Sequence, residues 1–512
     1  MSCVSLNVFL KMKKNNLFLI LIILLGLFLR FYRLSETAMF IGDQARDYFV
    51  ARDLLLNHKF PLIGPQTSIP WLHQGPFFYY FLAFFLWIGK FDPIWPVYGT
   101  ALFGVLAIYL IYVLGKKLFD EKAGLLAAFF YAISPYAILQ SRISLHPSIL
   151  PVFVILFLMA LSELISPRPC VAKGYAGGAR SPSQRRATVR GVFVPFFLAF
   201  SFLIAIQLHL SAILLFPIFV LSWEWVKFKS LRLVKPFILI STVMAFWKLF
   251  RHSPFTPAFY WWKIFEEIFS YGNFLAAFLA LIIVVLGVIR AISPTSPFDF
   301  AQGCEGVKEI EEGSKILLIS LLVIICGLTV KNSPAEHPYN LFLPIAILIF
   351  SLGLVRLAEV KHGKCLVFLI CLFSFISNSY LLISSSYFSK IYGPGLFSRE
   401  KLAGFIVNDA GGRQISLKRC GPLWDYPSTN LNYEYLVWWL GGNEGNKGNK
   451  GDEGDEKGLT YYIFEPKEAL KTMEGCWGVE KYIGKDNLFN FNQAAILRAK
   501  RESSKRWKDE EL

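Results

Sequence analysis

Cysteine is scarce in this chain and poorly spaced for metal. The 512 residues include 8 cysteines, with no CxxC pair and no zinc-ligand spacing, which argues against a metal–cysteine site. No HxH or HxxxH pattern occurs among the 7 histidines, so a histidine metal site has no support from spacing either. The run GGNEGNKGNKGDEGDEKG is glycine-rich. It lacks the strand–turn–helix setting of a phosphate-cradling loop and reads as a loop between two strands. No small-residue cleavage site follows the first apolar run, NNLFLILIILLGLFLRFYRL. The expectation is an uncleaved first helix.

Hydrophobic residues are in excess, at 55% with a mean hydropathy of +0.48. That exceeds the roughly 45–50% of soluble domains and comes as repeated apolar runs. The fold class expected is an α-helical polytopic membrane protein. The net charge of +16 sits mainly in short loops between those runs. It reads as orientation and lipid contact, with no nucleic acid as partner.

A membrane span needs about 20 apolar residues. Runs near 17–34, 96–115, 123–140, 147–165, 192–207, 209–225, 236–250, 273–290, 315–331, 341–355 and 365–384 meet that need, giving about 11 spans. The run GPFFYYFLAFFLWIG (76–90) is short. Lys11, Lys13 and Lys14 put the N-terminus in the cytoplasm. The basic loops stay on that side only if 76–90 is a juxtamembrane or re-entrant helix. The transmembrane domain then covers 1–384, with a first outer loop at 35–75. Inserts at 166–191 and 291–314, rich in Gly, Pro, Ser and charge, are expected to be disordered and cytoplasmic. Residues 385–512 form a small α/β extracytoplasmic domain interrupted by a disordered loop at 441–457. Cys420 and Cys476 both lie there, where a disulfide is permitted. The expected location is the plasma membrane.

This threading gathers the polar residues at one face. Asp43 and Asp47, His73 and Gln74, Arg142 and His146, Gln207 and His209, Arg251 and His252, and Glu336 and His337 all fall at outer ends of apolar runs. Ionisable groups at such borders are functional candidates. Two readings of Asp43 are open and compatible: an N-cap of the helix that follows, or a carboxylate facing a cleft and able to take a proton from an attacking hydroxyl. Asp47 lies one turn on, and Arg46 and Arg52 pair with neighbouring acids or with lipid. Arg142 either binds an anion or snorkels. Arginine and histidine suit a phosphate, which points to Arg251, His252 and His337.

The order GDQARD, QGPFFYYF, YAISPYAILQSRISLHPSILP, then AIQLHLSA and RHSPF resembles the GT-C fold lipid-phosphate-sugar-dependent glycosyltransferases. The nearest likeness is to the family 39 type: protein O-mannosyltransferases, aminoarabinose transferases and the RgtA/B/C/D-like bacterial group. The resemblance covers residues 17–225 best. It implies an inverting transfer from a polyprenyl phosphate sugar to an acceptor at the outer face. It also implies a catalytic base on the first loop, here Asp43, with Asp47 as a possible partner. His73, Gln74, Arg142, His146, Gln207, His209, Arg251, His252 and His337 are the candidates for binding substrate or lipid phosphate. Relatives tend to carry Asp or Asn where His146 stands. The chemistry requires no cofactor; a divalent metal is compatible with it but not indicated. A polytopic transporter or lipid-linked-sugar flippase is the alternative.

Overall fold

The computed structural model describes residues 14–67, 71–165, 182–227, 262–263, 266–270, 274–292, 303–331, 339–383, 394–422, 424–426, 428–443, 458–473, 475–477, 479–484 and 487–500. Ten of the eleven apolar runs coincide with helices. These are α1 (Lys14–Phe31), α5 (Ile94–Leu118), the pair α6 (Glu121–Ile133) and α7 (Pro135–Ser141), α8 (Leu150–Ile165) and α9 (Pro182–Leu208). They continue with α10 (Leu215–Lys227), α11 (Phe274–Ile292), α12 (Gly303–Lys331), α13 (Tyr339–Ala358) and α14 (Gly363–Ile383). The run at 236–250 lies outside the described residues. Of the two inserts, 166–181 and 293–302 also lie outside them. The helices that follow start at Pro182 and Gly303, inside the stretches expected to be disordered. Within the described residues, five helices are long and apolar enough to cross a membrane, or six if a bent pair counts as one span.

That bent pair is α6 and α7, read from the sequence as one run and here turned by 60°. Pro135 has no N–H to donate and its ring displaces the carbonyl of Tyr131. Arg30, fully buried in α1, donates to the carbonyls of Tyr131 (3.1 Å) and Ala132 (3.0 Å). Its charge sits on the carbonyl end of α6, where the helix dipole favours a cation. Helix α13 is buried along most of its length. It packs closely on α11, where a Cβ on Gly287 or Gly353 would lie 2.0 or 1.9 Å from the facing backbone. Small residues allow such approach between apolar helices.

Helix α4 (Phe77–Ile88) has 12 residues. At 1.5 Å per residue it reaches about 18 Å, well short of the ~30 Å hydrocarbon thickness. The short run therefore folds as a helix shorter than that thickness. Two further helices occupy the first loop, α2 (Leu34–Thr37) and α3 (Gly42–Asn57).

The C-terminal part holds α15 (Leu396–Ala410), β1 (Ile415–Cys420), α16 (Leu431–Trp439), β2 (Leu459–Phe464), α17 (Ala469–Thr472), β3 (Leu488–Asn490) and β4 (Ala495–Lys500). The sheet order is β1-β2-β4-β3, with β1 and β2 parallel and the other pairs antiparallel. Helix α16 lies on the β1–β2 crossover, as parallel strands require. Cys420 and Cys476 form a disulfide, with Cα atoms 5.6 Å apart. The expected loop at 441–457 lies outside the described residues from 444 onward.

Backbone and side-chain hydrogen bonds fasten this part to residues 38–40. Leu396 N–H donates to the Ala38 carbonyl (2.7 Å). Arg399 and Asn432 donate to the Phe40 carbonyl (2.8 and 3.2 Å). Beneath them Arg399, Glu465 and Tyr433 form a closed buried network, with Arg419 a further 3.6 Å from Glu465. Burial works to raise the Glu465 pKa, but the two guanidiniums and the Tyr433 hydroxyl hold it below the usual value.

Candidate active site

Helix α3 starts just past that fastening. Its N-cap is Ile41, in extended backbone, and the Gln44 side chain accepts the Ile41 N–H at 3.0 Å. Ile41 has no side-chain acceptor, so only this half of a capping box exists. Asp43 lies inside the first turn and does not serve as the cap. Gly42 is required here because a Cβ would lie 1.8 Å from the Ser428 carbonyl.

Arg46 joins the two acids. It donates to Asp43 at 3.2 Å and to Asp47 at 2.9 Å. The acids then differ sharply. The Asp43 side chain is 37% exposed, and its Oδ1 also accepts from the Ser428 hydroxyl at 2.8 Å. Asp47 is fully buried, and its Oδ2 has no hydrogen-bond partner among the described residues. Burial raises the Asp47 pKa to about 6 against the pull of Arg46. Tyr79 on α4 lies within electrostatic reach of Arg46 and Asp47. Arg52 pairs with Asp53 and lies over the rings of Phe49 and Trp438.

A second group of candidates meets at the N-terminal side of α4. Phe78 touches His146 edge-on, and His146 stacks on His209 with ring centroids 6.3 Å apart. His209 caps the short 3-10 turn Leu210–Leu214, its Nδ1 accepting the Ser211 N–H. Gln207 packs on Gly75, where a Cβ would lie 2.2 Å from its Cγ. The Gln74 Oε1 is buried there with no hydrogen-bond partner among the described residues. Residues 64–67 pair antiparallel with 72–74, with Gly64 N–H donating to Gln74 O at 2.9 Å, and His73 is exposed. Phe78 thus contacts the histidine pair, while its neighbour Tyr79 lies within electrostatic reach of Arg46 and Asp47.

Arg142 belongs to neither group. It is buried and donates to the carbonyls of Leu29 and Tyr32, each at 2.8 Å, and to the Thr37 hydroxyl. It closes the carbonyl end of α1, as Arg30 closes α6, and is buried rather than snorkelling. Arg251, His252 and His337 lie outside the described residues. Among those residues no three His, Cys, Asp or Glu side chains come together as an ion site. Sequence reasoning missed Ser428, because nothing local ties it to a residue 385 positions away. It missed Gln44 as the capping group, although a Gln at the third helical position is a readable signal.

Comparison with known proteins gives the chemistry a class. Residues 73–225 match the family model described as dolichyl-phosphate-mannose-protein mannosyltransferase. The fold is similar to that of ArnT from Cupriavidus metallidurans in the apo state, with a TM-score of 0.52 at 10% identity over 94% of this chain and 97% of that one. The same protein bound to undecaprenyl phosphate gives 0.50 at 10% identity, with the same coverage. The archaeal oligosaccharyltransferase AglB from Archaeoglobus fulgidus gives 0.49 at 13% identity over 95% of this chain and 74% of that one, too slight to argue from. No curated protein sequence matches the chain. The chain carries a domain of the dolichyl-phosphate-mannose-protein mannosyltransferase family at residues 73–225, within a multi-pass membrane protein of GT-C fold. That match gives residues 73–225 the likeness of a glycosyltransferase domain that uses lipid-phosphate sugars, and favours transfer over the transporter or flippase alternative.

Proposed function

We propose that this chain moves a sugar from a polyprenyl phosphate to an acceptor at the extracytoplasmic face of the plasma membrane, with Asp43 as the base. The observation that carries the base is the contrast on α3. Asp43 is anchored through Oδ1, partly open to solvent, and not spent on capping the helix. The family described as using dolichyl-phosphate-mannose, and the undecaprenyl phosphate bound to ArnT, support a polyprenyl phosphate donor. Two features support the face. Lys116 and Lys117, Arg290 and Arg356 close the last turns of α5, α11 and α13, at the bundle end away from the sheet. Basic residues favour the cytoplasmic side. The disulfide Cys420–Cys476 sits at the sheet-bearing end, and disulfides persist in oxidising compartments.

The donor sugar lies above Asp43. Asp43 takes the proton of the acceptor hydroxyl or amine as that group attacks the anomeric carbon. The carbon–phosphate oxygen bond breaks on the opposite side, through an oxocarbenium-like state, and the centre inverts. The leaving phosphate keeps the bonding electron pair, a charge it carries well, so the displacement requires no metal. In this reading Arg46, His146 and His209 supply donors for that charge. Arg251, His252 and His337 remain the proposed partners of the lipid phosphate.

Transfer of radiolabelled sugar from polyprenyl phosphate donors tests this, in membranes expressing the native chain or Asp43→Asn. Transfer by the native chain, with loss by a folded variant, is expected. Native turnover in the variant would move the base elsewhere.

A further inference from the structure

The base is not held by its own domain alone. Its two hydrogen bonds, from Arg46 and from Ser428, both fall on Oδ1. Oδ2 receives no hydrogen bond from the described residues, and the side chain as a whole is 37% exposed. A base needs this arrangement: one oxygen fixed, so that the other points at the incoming proton in a constant geometry.

Ser428 is itself fixed from both sides. Upstream, β1 ends at Cys420 in the disulfide to Cys476. Downstream, the Ser428 carbonyl accepts the Leu431 N–H at 3.1 Å, in the turn that opens α16. Asn432 on that helix holds the Phe40 carbonyl at 3.2 Å, two residues before Gly42. Ser428 is only 7% exposed, and its backbone packs onto Gly42. A hydroxyl placed so tightly against a carboxylate at a partly open site does more than fill space.

We infer that Ser428 is a positioning residue for the transfer, through which the C-terminal domain orients the Asp43 carboxylate and completes the active site. This rests on Asp43 being the base. The hydroxyl donates to Oδ1 and never touches the sugar. It restricts rotation of the carboxylate and leaves Oδ2 facing the acceptor. Donor binding, handled by other elements, is independent of it.

The test compares Ser428→Thr with Ser428→Val, side chains of equal bulk that differ in the hydroxyl. Full-length chains in membranes are supplied with polyprenyl phosphates carrying radiolabelled hexoses or pentoses. The Val variant should lose about tenfold in kcat, a fraction of the 100–10,000-fold expected for the base itself, with donor KM within about twofold of native. The Thr variant should keep most of the native kcat. In the Asp43→Asn background the Val change should have no further effect on the residual rate, because the hydroxyl acts through that carboxylate. Equal rates for the Thr and Val variants, or an undiminished Val effect in that background, would overturn the inference. Native rates in folded Asp43→Asn would instead remove the base, and the role of Ser428 with it. No transfer from any donor by the native chain would overturn both.

Discussion

Two charged clusters lie on either side of Phe40, built from the same residue types. On the C-terminal side Arg399, Glu465 and Tyr433 are buried and satisfy one another. On the α3 side Arg46 stands between Asp43 and Asp47, with Tyr79 nearby. The first cluster depresses its carboxyl pKa. The second raises that of Asp47 to about 6 and leaves one of its oxygens without a hydrogen bond from the described residues. A buried ionic group with every partner in place gives a fixed joint. One left partly unsatisfied costs stability, and such sites gather where chemistry is done. The contrast separates the hinge-pin of the molecule from its candidate active site.

The comparison fails if the clusters respond alike to mutation. Asp43→Asn should have the largest effect, lowering turnover by about 100–10,000-fold. Its thermal unfolding midpoint in detergent should stay near native. Glu465→Gln should do the reverse. Removing one partner strands the Arg399 charge, at a cost of about 3–5 kcal/mol. The readout is a lower midpoint and faster proteolysis of the C-terminal part, and any lost activity should track the folded fraction. A stable but inactive Glu465→Gln would erase the distinction.

Asp47 sharpens it with a smaller, signed effect. Its folded pKa of about 6 stands above the ordinary 3.8. Between those values the folded chain holds a proton that the unfolded chain has lost, so stability from this group falls as pH rises through that interval. Asp47→Asn removes the dependence. The variant should gain stability relative to native between pH 4 and pH 7, by about 1–3 kcal/mol, read as a rising midpoint difference. A constant difference across that range would mean that Asp47 is charged throughout.

Much of this was legible in the sequence. The apolar runs mark the helices because spans must satisfy their own backbone. Residues 76–90 announced a short helix by length alone. What was not legible depended on contacts distant in sequence. Arg30 and Arg142 look like border cations on a linear chain. In the fold they close the carbonyl ends of α6 and α1. The break at Pro135 is a proline signal that a continuous apolar run concealed. Ser428 is an ordinary loop serine until the sheet domain docks.

That docking also has a history in each molecule's synthesis. Asp43 leaves the ribosome 385 residues ahead of Ser428. At about 5–20 residues per second, the carboxylate waits roughly 20–80 s for its partner. Glu465 and Cys476, which secure the same clasp, arrive later still. A nascent chain with its bundle already in the lipid would therefore still lack an oriented base. Under the proposed function, catalysis would begin only once the segment bearing Ser428 had folded and closed on the first loop, so the order of synthesis would act as a safety catch.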